Sequence, residues 1–185
     1  MIALGVDPTD PSSKGGVCGF AVLDVRARRV KALGSLERGR ECEELIEVIE
    51  RHGIEAVAVE VALELFERTD KPPQARRAIN RALLRQNLLS GALTVAAQYG
   101  LDAIRPHGRV VQIDSATWRS TLGVKLQKHP ITGKPEPYDH AVERAIRFWL
   151  PDWPRESTVH ERDAAGVCLG AFLLTSRTPG VRSPS

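Results

Sequence analysis

Apolar residues in the first third of the chain come in short, near-continuous runs, each closed by turn chemistry. Positions 2–6 (IALGV), 17–25 (VCGFAVLDV) and 28–33 (RRVKAL) have the length and branched content of strands. The first two are joined through PTDPSSKGG, turn chemistry throughout, so the pattern predicts a meander. The period then changes. Over 40–52, Leu45, Ile46 and Ile49 share one face of a helix with acids on the other, and Gly53 is its stop. IEAVAVE reads as a buried strand ending at Glu60. Pro72 and Pro73 precede a long helix over 74–98, which Gly100 closes. Arg77, Arg81 and Arg85 recur there every four residues as one stripe, with Ile79, Leu83, Leu84, Leu88 and Val95 broadly opposite and in need of a partner. RVVQID is a further strand. SATWRSTLG is a short helix capped by Ser115 and stopped by Gly123, and 124–137 has no apolar period and reads as a loop. Helices are expected over 138–150 and 158–176, and the tail 177–185 has the composition of a disordered end. Trp118 and Trp149 are expected in the core, while Tyr138, at a helix start, suits partial burial or stacking on a nucleic-acid base equally well.

Strand, strand, strand, helix, strand, helix, strand and then helices describe one α/β domain over 1–176, a mixed sheet with helices on both faces. Strand ends in such a sheet can meet on one edge. The first strand runs into Asp7, which Pro8 follows, and the fourth ends on Glu60. A carboxylate in Asp7's position caps the turn, satisfies a buried donor or holds a metal. The last helix opens STVHERDAAGV, where His160 and Asp163 are three apart and share a face that can point back to that edge. Glu161 stands three after Thr158, the spacing of a capping box. Asp163 also fits the bland role of an acid near a helix N-terminus. Three carboxylates converging in a partly buried place repel one another and call for a hard cation, Mg²⁺ or Mn²⁺, and two ions suit phosphoryl chemistry. Zinc fits poorly, because the five histidines are dispersed and no cysteine has a paired neighbour.

Charge sharpens this picture. The net charge is only +3, but 20 of the 26 basic residues are arginine, the residue suited to phosphate. They cluster: 68–85 and 105–134 each hold six basic residues against one acid, while acids collect at 41–50 and around Asp7, Glu60 and Asp163. The chain thus divides into basic surfaces and acidic pockets. Length and cysteines set the remaining bounds. A chain of 185 residues buries roughly two thirds of its extended-chain surface without staples. Cys18, Cys42 and Cys168, odd in number and without ligand spacing, fit an intracellular chain with free thiols. The sequence opens without a basic leader and apolar core, and the longest apolar stretch, 88–97, is too short to span a bilayer, so a cytoplasmic protein with no membrane partner is expected.

LGVDP with a glycine-containing turn and GFAVLD, then AVAVE, then HERDAAGVCLGA, in this order and spacing, resemble the Holliday-junction resolvases of the RuvC type, within the RNase H-like superfamily. The resemblance covers about residues 2–176. It implies an RNase H-like five-stranded sheet and an Mg²⁺-dependent homodimer that nicks opposing strands of four-way DNA junctions symmetrically, leaving 5′-phosphate and 3′-hydroxyl ends. It also implies two ions held by Asp7, Glu60, Asp163 and His160, and a dimer helix over 74–98. Where the family carries an aromatic near the second acid, this chain has Leu63 and Phe66, candidates for an apolar wedge in the opened junction. Lys125, Lys128 and Lys134 occupy the family's basic segment before the penultimate helix and are its DNA contacts, with Lys125 and Lys134 as the substrate-facing pair and Lys134 also beside the reaction. Arg76, Arg77, Arg81 and Arg85 are the expected phosphate contacts. The turn after Asp7 is longer than the family's, and Asp10 within it is read as a cap.

Two other functions fit the same residues. One is an RNase H-like nuclease with a flap, another branched target or an RNA–DNA hybrid as substrate. The other is a junction-binding protein with little catalysis. A sugar-kinase or actin-like nucleotide domain also begins with a strand and an early aspartate, but it needs a second lobe and Gly-rich phosphate loops that 185 residues do not supply.

Overall fold

The first strand pairs with two neighbours of opposite kind, and this organises the whole molecule. In the computed structural model, which describes residues 1–9, 17–62, 72–128 and 133–173, β1 (Ile2–Asp7) runs antiparallel to β2 (Cys18–Asp24) and parallel to β4 (Ala56–Val61). β3 (Arg29–Leu36) and β5 (Arg109–Asp114) complete a mixed five-stranded sheet in the order β3-β2-β1-β4-β5. The α/β architecture expected from the sequence is present, with helices on both faces. Leu63, Phe66 and Asp10 lie outside the described residues.

The two faces differ in side-chain size, and that difference positions the site. Leu4, Val6, Val22, Val57 and Val59 pack under α1 (Glu41–His52) and α2 (Pro73–Ile104). The alternate positions are Ala3, Gly5, Ala21, Ala56 and Ala58, small residues that let α5 (Val159–Phe172) lie close against the sheet. A methyl group on Gly5 would overlap the Ala164 carbonyl and come within 2.8 Å of Cys168 Cβ, and one on Gly19 would lie 2.7 Å from His160 Cβ. α3 (Ser115–Leu122) and α4 (Tyr138–Trp149) pack on the same side, with Trp118 and Trp149 buried as expected.

Three details of the sequence reading change. α2 continues through Gly100 to Ile104. Gly100 serves packing there, since a Cβ at that position would lie 3.3 Å from Ile49 Cδ1 of α1. The helix stops instead at Arg105, whose backbone is extended because Pro106 follows it. The cap of α3 is Asp114, not Ser115: its carboxylate accepts the Thr117 N–H at 2.9 Å, so β5 passes into α3 without a loop. Finally, the apolar residues of α2 do not all oppose the arginines. Arg77 and Arg81 lie at exposed positions continuous in helical spacing with Leu84, Leu88, Val95 and Tyr99, which are between 53% and 71% exposed. The face on the sheet is Leu93, Ala96, Ala97 and Leu101. Gly53 and Gly123 end their helices in left-handed backbone as expected. Among the described residues no helix is long and apolar enough to cross a membrane.

Candidate active site

Val6 pairs with Val59 in the parallel register, so the next residue of each strand, Asp7 and Glu60, stand side by side at the sheet edge. Both are on the small-residue face and both are only 8% exposed. The site is completed by a helix end. Thr158 caps α5 through the Glu161 N–H at 3.1 Å, and Glu161 returns its carboxylate to the Thr158 N–H at 2.7 Å. That capping box fixes the first turn where Gly19, opposite Asp7, leaves room for it. His160 Nδ1 meets Asp7 Oδ2 at 3.0 Å. Asp163, one turn on, faces the same edge.

Other side chains hold the acids in place, and sequence reasoning missed most of them. Trp118 Nε1 donates to Glu60 Oε2 at 3.3 Å, so this core residue also has a polar task. From α2, Ser90 Oγ donates to the Glu60 carbonyl at 2.8 Å, and Asn87 pairs with both backbone groups of Ala62 at 2.7 and 2.9 Å. Arg162 donates Nε and Nη2 to Asp163 Oδ1, each at 3.2 Å, and Arg119 Nη2 lies 3.8 Å from Asp163 Oδ2. Adjacency in the sequence offered a hint for Arg162. For Arg119 the only sign was a basic residue beside a core tryptophan, one turn after the strand that neighbours Glu60.

Mutual repulsion shows in the protonation of these groups. Burial, and then the charge of Asp7, pushes the Glu60 carboxyl up to about 8, against the opposing pull of Arg119. Asp163 is raised by burial and then by Asp7, with Arg162 and Arg119 acting against. The hydrogen bond that His160 donates to Asp7 holds it above the ordinary imidazole range in spite of its partial burial. Carboxylate oxygens, hard and anionic, are by their chemistry the donors a divalent ion such as Mg²⁺ takes. In the present arrangement each carboxylate takes a protein donor, and among the described residues no three Asp, Glu, His or Cys side chains form a metal-holding group.

The expected DNA-contacting residues lie elsewhere. Arg77, Arg81 and Arg85 are exposed on α2, and Arg76 is in its first turn. Lys125, Lys128 and Lys134 are exposed in the α3–α4 connection. This loop has more order than its composition suggests. Lys128 and Pro135 form a bridge, and Arg144 joins Glu136 at 2.6 Å and the Lys125 carbonyl at 2.7 Å. Lys125, Arg144 and Phe148 line a cavity of about 220 Å³ behind it.

No protein-family model matches the sequence, and no curated protein matches it. Solved structures do. Thermus thermophilus RuvC in complex with Holliday junction substrate superposes with a TM-score of 0.60 at 20% identity, over 95% of this chain and 95% of that one. A Thermus thermophilus RuvC structure superposes with 0.58 at 20% identity, over 95% and 96%. Over nearly the whole of both chains, then, this chain has the fold of the RuvC structures.

Proposed function

We propose that this chain is a metal-dependent endonuclease that resolves four-way DNA junctions by paired, symmetric phosphodiester hydrolysis. The observation that carries the reading is the meeting of Asp7, Glu60, His160 and Asp163 at one sheet edge of a RuvC-like fold. The substrate class is supported by the similar Thermus thermophilus RuvC, which was solved with a Holliday junction substrate. In this reading Asp7, Glu60, Asp163 and His160 hold Mg²⁺ or Mn²⁺, in the family manner two ions. Bound divalent ions supply an attacking water of lowered pKa and neutralise charge on the leaving 3′ oxygen. The protein's own groups do the rest. Asp7 and Glu60 are aimed by rigid strands, and the capping box orients His160. Lys134 assists at the phosphate. Lys125, Lys128, Arg76, Arg77, Arg81 and Arg85 bind the DNA backbone through charge, giving affinity that falls steeply with salt. Leu63 and Phe66 follow the Glu60 strand in sequence and act as the apolar wedge.

The test is strand cleavage of a fixed synthetic four-way junction in Mg²⁺, beside linear duplex, a flap and an RNA–DNA hybrid. Symmetric paired nicks in the junction, lost in Asp7→Asn, are expected. Preference for flap or hybrid would replace the substrate class, and tight metal-independent binding without cleavage would make the protein a junction-binding one.

The same reading includes a homodimer through α2, with a second copy covering the exposed stripe. Leu84, Leu88, Val95 and Tyr99 repeat at helical spacing along one side, and Gly91, near the middle, has open space where a Cβ would stand. An apolar stripe with a small residue at its centre suits close approach of a second helix. Leu88→Glu is expected to convert a dimer into a monomer by light scattering after size exclusion. A dimer of unchanged mass would place the interface elsewhere.

A further inference from the structure

Asp163 turns both carboxylate oxygens toward arginines, and the two arginines are held in different ways. Arg162 is 7% exposed and ties Asp163 to Asp139, whose Oδ1 it reaches at 3.1 Å, so it belongs to the framework. Arg119 is held by rings. Its guanidinium lies 4.9 Å from the centroids of both Trp118 and Tyr138. At 3.8 Å it is in ion-pair range of Asp163 but beyond a hydrogen bond, and its Nε is buried with no acceptor among the described residues. Trp118, under the same guanidinium, is the residue that donates to Glu60. One positive charge therefore lies in ion-pair range of Asp163 and also acts through space on Glu60. A cation stacked on aromatic faces keeps its stem in place when its partner is taken away.

We infer that Arg119 is the internal counter-cation of this site: it balances the charge of Asp163 and favours the ionised form of Glu60 when no ion is bound, and it competes there with an incoming divalent ion, thereby setting the metal affinity. Arg119 is on this account a positioning residue, not a catalytic one, and the inference rests on the metal-dependent reading above. An arginine with a merely structural role has the opposite signature, because its loss loosens the site and weakens ion binding.

The experiment is calorimetric titration of Mn²⁺ and Mg²⁺ into the full chain as wild type, Arg119→Gln and Arg119→Lys, with melting temperatures recorded in the absence of metal. Arg119→Gln is expected to bind Mn²⁺ about three- to tenfold more tightly, the scale of a partly exposed ion pair acting on a divalent charge. It should also melt lower without metal, while Arg119→Lys stays near wild type in both. Unchanged or weaker Mn²⁺ binding by folded Arg119→Gln overturns the inference. Where Arg119→Gln does not fold, Arg119→Met, which keeps the apolar contact with the rings, carries the same comparison. Junction cleavage by wild type in Mg²⁺ separates the failures. If wild type cleaves and the variant binds no tighter, only the role of Arg119 falls. If wild type neither binds a divalent ion nor cleaves, the nuclease reading falls and this inference with it.

Discussion

Glu60→Gln is expected to raise the melting temperature of the metal-free protein at pH 8 while lowering metal-dependent junction cleavage about a thousandfold. On the proposed metal-dependent reading, the rate loss follows from removing one anionic ligand of ions that contribute several kcal/mol at the reacting phosphate, where each 1.36 kcal/mol is about tenfold. The gain in stability comes from the same carboxylate. It is buried beside Asp7 and near Asp163, and its pKa stands at about 8 in the folded chain against an ordinary 4.5. Below pH 4.5 both folded and unfolded chains carry the proton, and the residue costs nothing. Between 4.5 and about 8 the unfolded chain has released it while the folded chain retains it, so stability falls as pH rises and then levels off. Glutamine has no such penalty and still offers Trp118 an acceptor. The difference between variant and wild type should be small at pH 5 and on the order of 2–4 kcal/mol at pH 8. In melting temperature that is about 5–10 °C for a domain of this size. Mg²⁺ should narrow the gap by stabilising wild type more than the variant. Differential scanning fluorimetry from pH 5 to 8, with and without Mg²⁺, reads all of this. Equal melting temperatures at pH 8 would mean that Glu60 is not under electrostatic strain.

Gly5→Ala carries the second large effect, in the opposite direction and by a different cause. Gly5 is in the middle of β1, where α5 crosses it, and the added methyl would meet the Ala164 carbonyl and lie 2.8 Å from both Cys168 Cβ and the Cys168 nitrogen. Two of these obstacles are backbone atoms of a helix and cannot rotate away. Relief requires α5 to lift from the sheet, and α5 also carries His160 and Asp163. Overpacking of this kind costs about 3 kcal/mol or more, roughly 6–12 °C in melting temperature. The 3.0 Å contact between His160 and Asp7 should loosen with it, so cleavage should fall even at temperatures where the variant is folded. Thermal melts together with the His160 imidazole shift in NMR would show both. A variant melting within a degree of wild type would mean that α5 is not seated on Gly5.

The acids could be read from the sequence because they depend on local rules. A buried strand with a charge at its end is a short local pattern: β1 ends on Asp7, and β4 runs one residue past Glu60 to Val61. Thr158 and Glu161 announced the start of α5 by spacing alone, and His160 and Asp163 followed from helical periodicity. The glycine stops at 53 and 123 are likewise local, since left-handed backbone is a property of one residue. Gly100 misled because a glycine at a helix end and a glycine at a helix contact look identical in sequence. Only the side chains of Ile46 and Ile49 on α1 distinguish them. Leu84 and Leu88 misled in another way: the four-residue recurrence of the arginines hides that positions three and seven residues after Arg81 continue the same exposed side of the helix.

By itself, then, the sequence determined the element order, the α/β class and the identity of the four residues at the sheet edge, because periodicity, capping and turn preference act over a few residues. Tertiary structure decided what surrounds them: Trp118 beneath Glu60, Arg119 and Arg162 on Asp163, Ser90 and Asn87 securing the exit of β4. These partners come from α2, α3 and α5, and their charges act through space on groups distant in the chain. No local pattern encodes such a meeting. It arises from strand register, which sets Asp7 beside Glu60, and from the small residues of one sheet face, which let α5 come close enough to complete the site.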